Sequence, residues 1–484
     1  MNHRSRTLRG AIFAAAALLA LSIAPLTTGA ATAATARDTG ARDEVVTIDG
    51  VPARVVVPEG WNGTLLLYSH GFRAYGGANP ATATPSGLEA DGPAIQSLLT
   101  GQGYALAGSA FRTTGFAHKD GLVDQVKLLD WFGRHVAKPK RTYSWGDSYG
   151  GQLSLLIAER NPDRIDGALS LCGPVGGAVN QERLRLDTAY AIKTLLAPEL
   201  ELTGIADPAA NQAAADAAID TARRGTPQSK AKLALAAALG DIAPQFDGHA
   251  AGAPDSVDEA LVHLGVYLRF IVSPGAFGPQ RAAHEERLGG TPAGNTGVDY
   301  RTVLARSSQR DLVAQAYAAA GLDLDADLAA LSAGERVAAD PDAVRYQLRY
   351  GQPTGYTPVP VVTVHTTLDG TVPVEHHRWY ADAVARVGNP ANLRQTYLAR
   401  GYHCAISAGE IAVALGALDT RVRTRAWGDT GPAALNAAAA RYPDAQRQVF
   451  SYWSFDGSPG SGWAALEPGF TDYRPAALPR PFPF

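Results

Sequence analysis

Hydrophobic and polar positions divide the chain into three stretches. In the first, short apolar runs alternate with amphipathic segments. Residues 45–48 and 51–57 alternate or run apolar around Asp49-Gly50, which predicts a β-hairpin. Residues 64–68 form an unbroken apolar run, as expected of a strand buried on both faces. Residues 104–109, 142–145 and 168–171 repeat that signal. Between these runs, residues 93–100, 120–136 and 152–160 carry helical spacing. Val123, Val126, Leu129 and Phe132 line up as one stripe.

From 179 to 355 the strand signals nearly vanish. Alanine-rich helical patterns cover 181–196, 209–224, 229–239, 256–271, 309–320 and 341–349. Asp340 is placed to cap the last of these, with Pro341 at its first position. There is no fixed period, so the stretch reads as a helical insertion and not a repeat array. The alternation then resumes, with strands at 360–366 and 393–398 and a helix at 373–387. Ser407 and Glu410 match a capping box that opens another helix, and 433–441 forms one more. The tail contains Tyr452, Trp453, Phe455 and Trp463 and ends in proline-rich coil. The pattern leaves open whether it covers the core or lines a site. The whole predicts an α/β protein: a mostly parallel, doubly wound sheet interrupted by an all-helical cap.

Composition narrows the picture. A formal charge of −3, without basic runs among aromatics, argues against a nucleic-acid partner. The N-terminus has the form of a Sec-type signal peptide. Arg4, Arg6 and Arg9 precede an apolar stretch over 11–26, and Ala34-Thr35-Ala36 provides a cleavage site. The expected organisation is a signal peptide over 1–36, an α/β core over 37–178, the helical insertion over 179–355, and the rest of the core with the tail over 356–484. The sequence reading finds no second apolar run long enough to span a bilayer, so it predicts a secreted protein with no stable membrane anchor. Cys172 and Cys404 are the only cysteines, and in an oxidising compartment they are candidates for one disulfide. Two buried thiols are the alternative.

The chemistry centres on residues 142–151, where a short strand runs through Gly146-Asp147-Ser148-Tyr149-Gly150 into a helix. Such a turn lifts a serine hydroxyl off a sheet end, and glycines flank it where side chains would strike neighbouring backbone. The backbone N–H of Tyr149 then falls at a helix N-terminus, suited to an oxyanion.

This elbow resembles the α/β-hydrolase superfamily. So do His70-Gly71-Phe72 after a buried strand, Asp369 after a late strand and His403 after the last, in the chain order Ser, Asp, His. The resemblance covers roughly 45–178 and 356–418. It implies Ser148 as nucleophile, His403 as base and Asp369 as the acid orienting it. The N–H groups of Phe72 and Tyr149 would form the oxyanion hole. His376 and His377 are rivals for the base and are expected to face solvent or cap the site. Glu375 is a weaker candidate acid. His70 is expected to be structural.

No cofactor or metal is expected. Asp323, Asp325 and Asp327 begin like a calcium loop, but Leu328 and Gly334 stand where that loop needs glycine and glutamate. These acids are expected at helix starts instead. The favoured reading is a secreted serine hydrolase of carboxylic esters. One alternative is an exopeptidase resembling tripeptidyl or prolyl aminopeptidases, with Glu182, Asp187 or Glu259 holding an α-amino group. Another is a non-catalytic binding protein on the same fold.

Overall fold

The computed structural model describes residues 40–85, 92–452 and 461–483. The expected cleavage site near Ala36, and Trp453 and Phe455, lie outside these residues. The strands are β1 (Arg42–Ile48), β2 (Val51–Val57), β3 (Thr64–Ser69), β4 (Ala105–Ser109), β5 (Arg141–Asp147), β6 (Gly167–Leu171), β7 (Val361–Leu368), β8 (Leu393–Gly401), β9 (Gln448–Tyr452), β10 (Ser461–Ala465) and β11 (Phe470–Thr471). Nine of them form one sheet in the order β1-β2-β4-β3-β5-β6-β7-β8-β11. From β4 to β8 every pairing in this order is parallel. The β1–β2 hairpin turns at Asp49 and Gly50, both at positive φ (50° and 81°), the conformation a two-residue turn of the right twist requires.

Strand side chains alternate between two apolar layers. Leu66, Tyr68, Leu106, Trp145 and Leu169 pack with helices Gly92–Gly101 and Ala408–Thr424. Leu65, Leu67, Ala105, Ala107 and Ala168 face the other way, onto helices His118–His135, Tyr149–Arg160 and Glu375–Val387. A parallel sheet covered on both faces needs strands apolar on both sides, and β3 is buried at all its positions.

Between β6 and β7 the chain is helical and contains no strand. This insertion has its own apolar core, in which helix Pro227–Leu239 is central. From Leu233 to Leu239 every residue of that helix is buried, as an all-round apolar helix must be.

Several elements differ from the sequence pattern. The single helix expected over 256–271 is three pieces: Val257–Tyr267, a π-turn over Leu268–Val272, and Ser273–Phe277. Pro274 explains the break, because it lacks an N–H and its ring crowds the carbonyl four residues back. The ladder shifts, and the Ser273 N–H bonds to the Leu268 carbonyl. Taken together, Val257–Phe277 is long and apolar enough to cross a membrane, which corrects the expectation of no second such run. Some 67% of its most apolar window is buried in the protein, as in a core helix. Helices Pro279–Leu288, Tyr300–Arg306 and Leu324–Ala333 add to those the pattern predicts. Asp323 caps the last of these, accepting from the N–H groups of Asp325 and Ala326. Asp340 does not cap its helix with its side chain; its carboxylate instead accepts the Thr291 N–H at 2.7 Å.

The tail adds β11 to the sheet edge, antiparallel to β8. It then reaches the first helix of the insertion, Ala178–Leu196, where Arg480 grips buried Asp187 through Nε (2.6 Å) and Nη2 (3.0 Å).

Candidate active site

Ser148 follows β5 at φ 52° and ψ −128°, a conformation rare for a residue with a Cβ. The turn is held from both sides. The Ser148 N–H donates to the Leu171 carbonyl at 2.8 Å. A Cβ at Gly146 would lie 2.3 Å from the Ser69 carbonyl oxygen, and one at Gly150 only 1.9 Å from it. Only glycine lets the turn sit this close to the end of β3.

His403 Nε2 lies 2.7 Å from Ser148 Oγ, and His403 Nδ1 lies 2.6 Å from Asp369 Oδ2. All three residues are buried. Asp369 leaves β7 into a turn and uses its other oxygen to accept the N–H groups of Thr371 (2.8 Å) and Val372 (2.9 Å). That fixes the carboxylate plane toward the imidazole. Tyr267, from the insertion, accepts the Gly370 N–H at 3.2 Å and donates to the Gln245 carbonyl at 3.1 Å.

The histidine loop is braced at both ends. Arg400, near the end of β8, forms a two-pronged ion pair with Glu410 at 2.7 and 2.8 Å, both side chains buried. Glu410 is also the reciprocal partner of Ser407 in the predicted capping box. Cys404 is bonded to Cys172, and neither cysteine is free.

His70 approaches the carbonyls of Gly71 (2.7 Å) and Ala110 (3.2 Å) and stacks on Phe111. Burial lowers its pKa to about 4. Phe72 and Tyr149 line the same cavity as Ser148 and His403.

Three expectations change here. His376 and His377 do not face solvent: both are fully buried beneath the sheet, where desolvation drives their pKa values down, His376 to about 3. His376 Nδ1 accepts the Gly176 N–H at 3.1 Å, and His377 Nδ1 lies 3.2 Å from Thr363 Oγ1. Glu375 is also buried and accepts from Ser308 Oγ at 2.7 Å, a role in cap packing. His365 escaped the sequence reading inside an apolar strand. Its Nε2 donates to the Val372 carbonyl at 2.8 Å and lies 3.5 Å from Asp369 Oδ2.

The three candidate amine-binding acids are already engaged. Glu182 meets Arg185, Arg281 and His284; Asp187 holds Arg480; Glu259 accepts at the start of its own helix. The cavity beside Ser148 has a volume of about 340 Å³, and no aspartate or glutamate lines it among the described residues.

Sheet order and elbow geometry define the class: the chain has the α/β-hydrolase fold with a helical cap inserted between β6 and β7. No protein-family model matches the sequence. The chain is similar to the o-phthalyl amidase of Xanthobacter agilis, at 26% identity over 422 residues, covering 81% of this chain and 89% of that protein. Among solved structures it is similar to the acylaminoacyl peptidase of Pyrococcus horikoshii (10% identity, TM-score 0.33, 75% of this chain covered). It spans only 37% of that chain. It is also similar to a Pyrococcus furiosus esterase (10%, TM-score 0.34, covering 75% and 83%). A third is mouse alpha/beta hydrolase domain-containing protein 10 (10%, TM-score 0.35, covering 80% and 100%).

Proposed function

We propose that the protein is an exported serine hydrolase that cleaves carboxylic esters through an acyl-enzyme. The observation that carries this reading is the hydrogen-bonded line from Ser148 Oγ to His403 Nε2 and from His403 Nδ1 to Asp369 Oδ2. Ser148 Oγ attacks the substrate carbonyl as His403 Nε2 takes its proton. Asp369 holds the Nδ1 proton and balances the imidazolium that forms. The N–H groups of Tyr149 and Phe72 receive the oxyanion. The alkoxide leaves with the proton from His403, and water, activated by the same base, releases the acid from Ser148.

The cap supplies much of the cavity wall, including Leu184, Ile242 and Phe270. Such a wall suits an apolar acyl or alcohol group. The Cys172–Cys404 bond is compatible with an oxidising compartment and supports export. Amides are a second reading, favoured by the similarity to an amidase over most of the chain. The exopeptidase reading loses support, because each carboxylate considered for an amine site already has protein partners.

The test is hydrolysis of 4-nitrophenyl acyl esters beside the matching 4-nitroanilides, with Ser148→Ala as control. Turnover of esters that vanishes in Ser148→Ala supports the ester reading. Faster turnover of anilides moves it to amides. Equal activity in Ser148→Ala sinks both.

A further inference from the structure

The charge lining the candidate site is one-sided. Among the described residues around the cavity there is no aspartate, glutamate or lysine, and Arg185 is the single guanidinium. Arg185 sits on the first helix of the insertion, and its guanidinium lies over the Phe116 ring at 5.4 Å. Phe116 in turn packs against Phe72 at 4.7 Å and Tyr149 at 5.7 Å. The cation therefore stands behind the aromatic wall nearest the proposed oxyanion hole.

Arg185 is not consumed by structural pairing. Its Nη1 meets Glu182, and that carboxylate has other partners: Arg281 Nη1 at 3.1 Å and His284 Nε2 at 3.6 Å. Arg281 also reaches Glu285 at 2.9 Å, and Arg287 lies 4.9 Å over the Tyr75 ring. Arg185 and Arg281 thus share the Glu182 carboxylate. The Arg185 side chain keeps 17% of its surface exposed, and Gly275, without a side chain, faces its Nε.

We infer that Arg185 is a specificity-determining residue that binds a carboxylate carried on the acyl part of the substrate. The preferred substrates are then half-esters or half-amides of dicarboxylic acids. This rests on the hydrolase reading above. A fork of N–H donors recognises a carboxylate, and a largely apolar, acid-free pocket strengthens the attraction. Glu182 takes one edge of that fork, and no carboxylate lines the pocket among the described residues.

The test pairs mono-4-nitrophenyl adipate with 4-nitrophenyl hexanoate, two acyl chains of equal length that differ in the terminal carboxylate. The wild type is expected to prefer the adipate in kcat/KM. Arg185→Gln is expected to lower the adipate-to-hexanoate ratio about 10- to 100-fold, the range for a charge-assisted bond, mainly through KM. Arg185→Lys is expected to recover part of that ratio. An unchanged ratio in Arg185→Gln overturns the inference while leaving the hydrolase reading intact. A second arm needs no turnover. Calorimetry on Ser148→Ala should show adipic acid monoamide binding more tightly than hexanamide, and Ser148→Ala/Arg185→Gln should abolish the difference. Equal binding of the two amides overturns the inference even if no ester is cleaved.

Discussion

Cys404 is bonded to Cys172, and the Cys172 sulfur also lies 3.4 Å from the backbone nitrogen of Ser148. The residue after His403 is therefore tied to the strand end that supports the serine turn. Both cysteines sit at positive φ (44° and 57°), so the bond holds two strained loop positions together. The partners are 232 residues apart in sequence. Closing a loop of that length stabilises the fold by roughly 5 kcal/mol on the chain-entropy argument. Cys172→Ser/Cys404→Ser is expected to lower the denaturation midpoint strongly and to cut activity about tenfold or more, as a loosened base loses its positioning. Alkylation of the native protein should find no thiol. Two reactive thiols, or a double variant of unchanged stability, would show that the bond does not brace the site.

Acid should unfold the protein through its buried histidines. Burial lowers the pKa of His70 and His118 to about 4 and of His284 and His376 to about 3. A histidine lowered below its unfolded value of about 6.5 contributes stability above that pH and loses it as pH falls toward the folded value. The histidine contribution to stability should be flat above about pH 6.5 and fall between about 6.5 and 3. Thermal melts across that range check the slope. His376→Gln should flatten it slightly, since one proton is removed from the linkage.

A second pH effect has the opposite sign. Asp241, from the insertion, accepts from Ser307 Oγ (2.9 Å) and the Ser308 N–H (2.8 Å), while Ser308 Oγ donates to Glu375 on the core helix (2.7 Å). Burial raises both carboxyl pKa values, and Glu375 raises that of Asp241 further. An acid raised above its unfolded value is most favourable to folding below that value and loses stability as pH rises. Asn at 241 keeps an acceptor for both serines and tolerates the φ of 55°. Asp241→Asn should therefore raise Tm by roughly 2–6 °C at pH 8 and change it little at pH 4. A lower Tm at pH 8 would show that the carboxylate is needed charged.

Gly150 should accept no side chain. A Cβ there would lie 1.9 Å from the Ser69 carbonyl oxygen, which is backbone and cannot swing away. Gly150→Ala is expected to cost about 3 kcal/mol or more and to remove activity. Gly416, whose Cβ would meet nothing within 4 Å, serves as the control helix glycine. Gly416→Ala should be neutral or slightly stabilising in the same melts.

The α/β core was legible because its signals are local. Asp49-Gly50 announced the hairpin, Thr64 to Tyr68 a doubly buried strand, and Ser407 with Glu410 the helix that follows the histidine loop. The serine turn could be read because Gly146 and Gly150 are demanded by backbone approach. What escaped depends on tertiary contact. His376 and His377 look like exposed residues early in a helix, yet that helix packs its first turn under the sheet. His365 carries a polar ring inside an apolar strand, and no neighbour in sequence marks its approach to Asp369. Glu182 reads in the sequence only as an acid that could hold an amine, and nothing there singles out Arg185. Only the folded insertion brings Arg281, almost a hundred residues on, to share that carboxylate with Arg185.

The central claim is that Ser148 is activated by His403. It is tested most directly by reacting the purified protein with a fluorophosphonate probe and mapping the adduct by peptide mass spectrometry. The account predicts one modified peptide, carrying the label on Ser148, and loss of labelling in both Ser148→Ala and His403→Ala. Labelling at another residue, or full labelling of a folded His403→Ala variant, would contradict it.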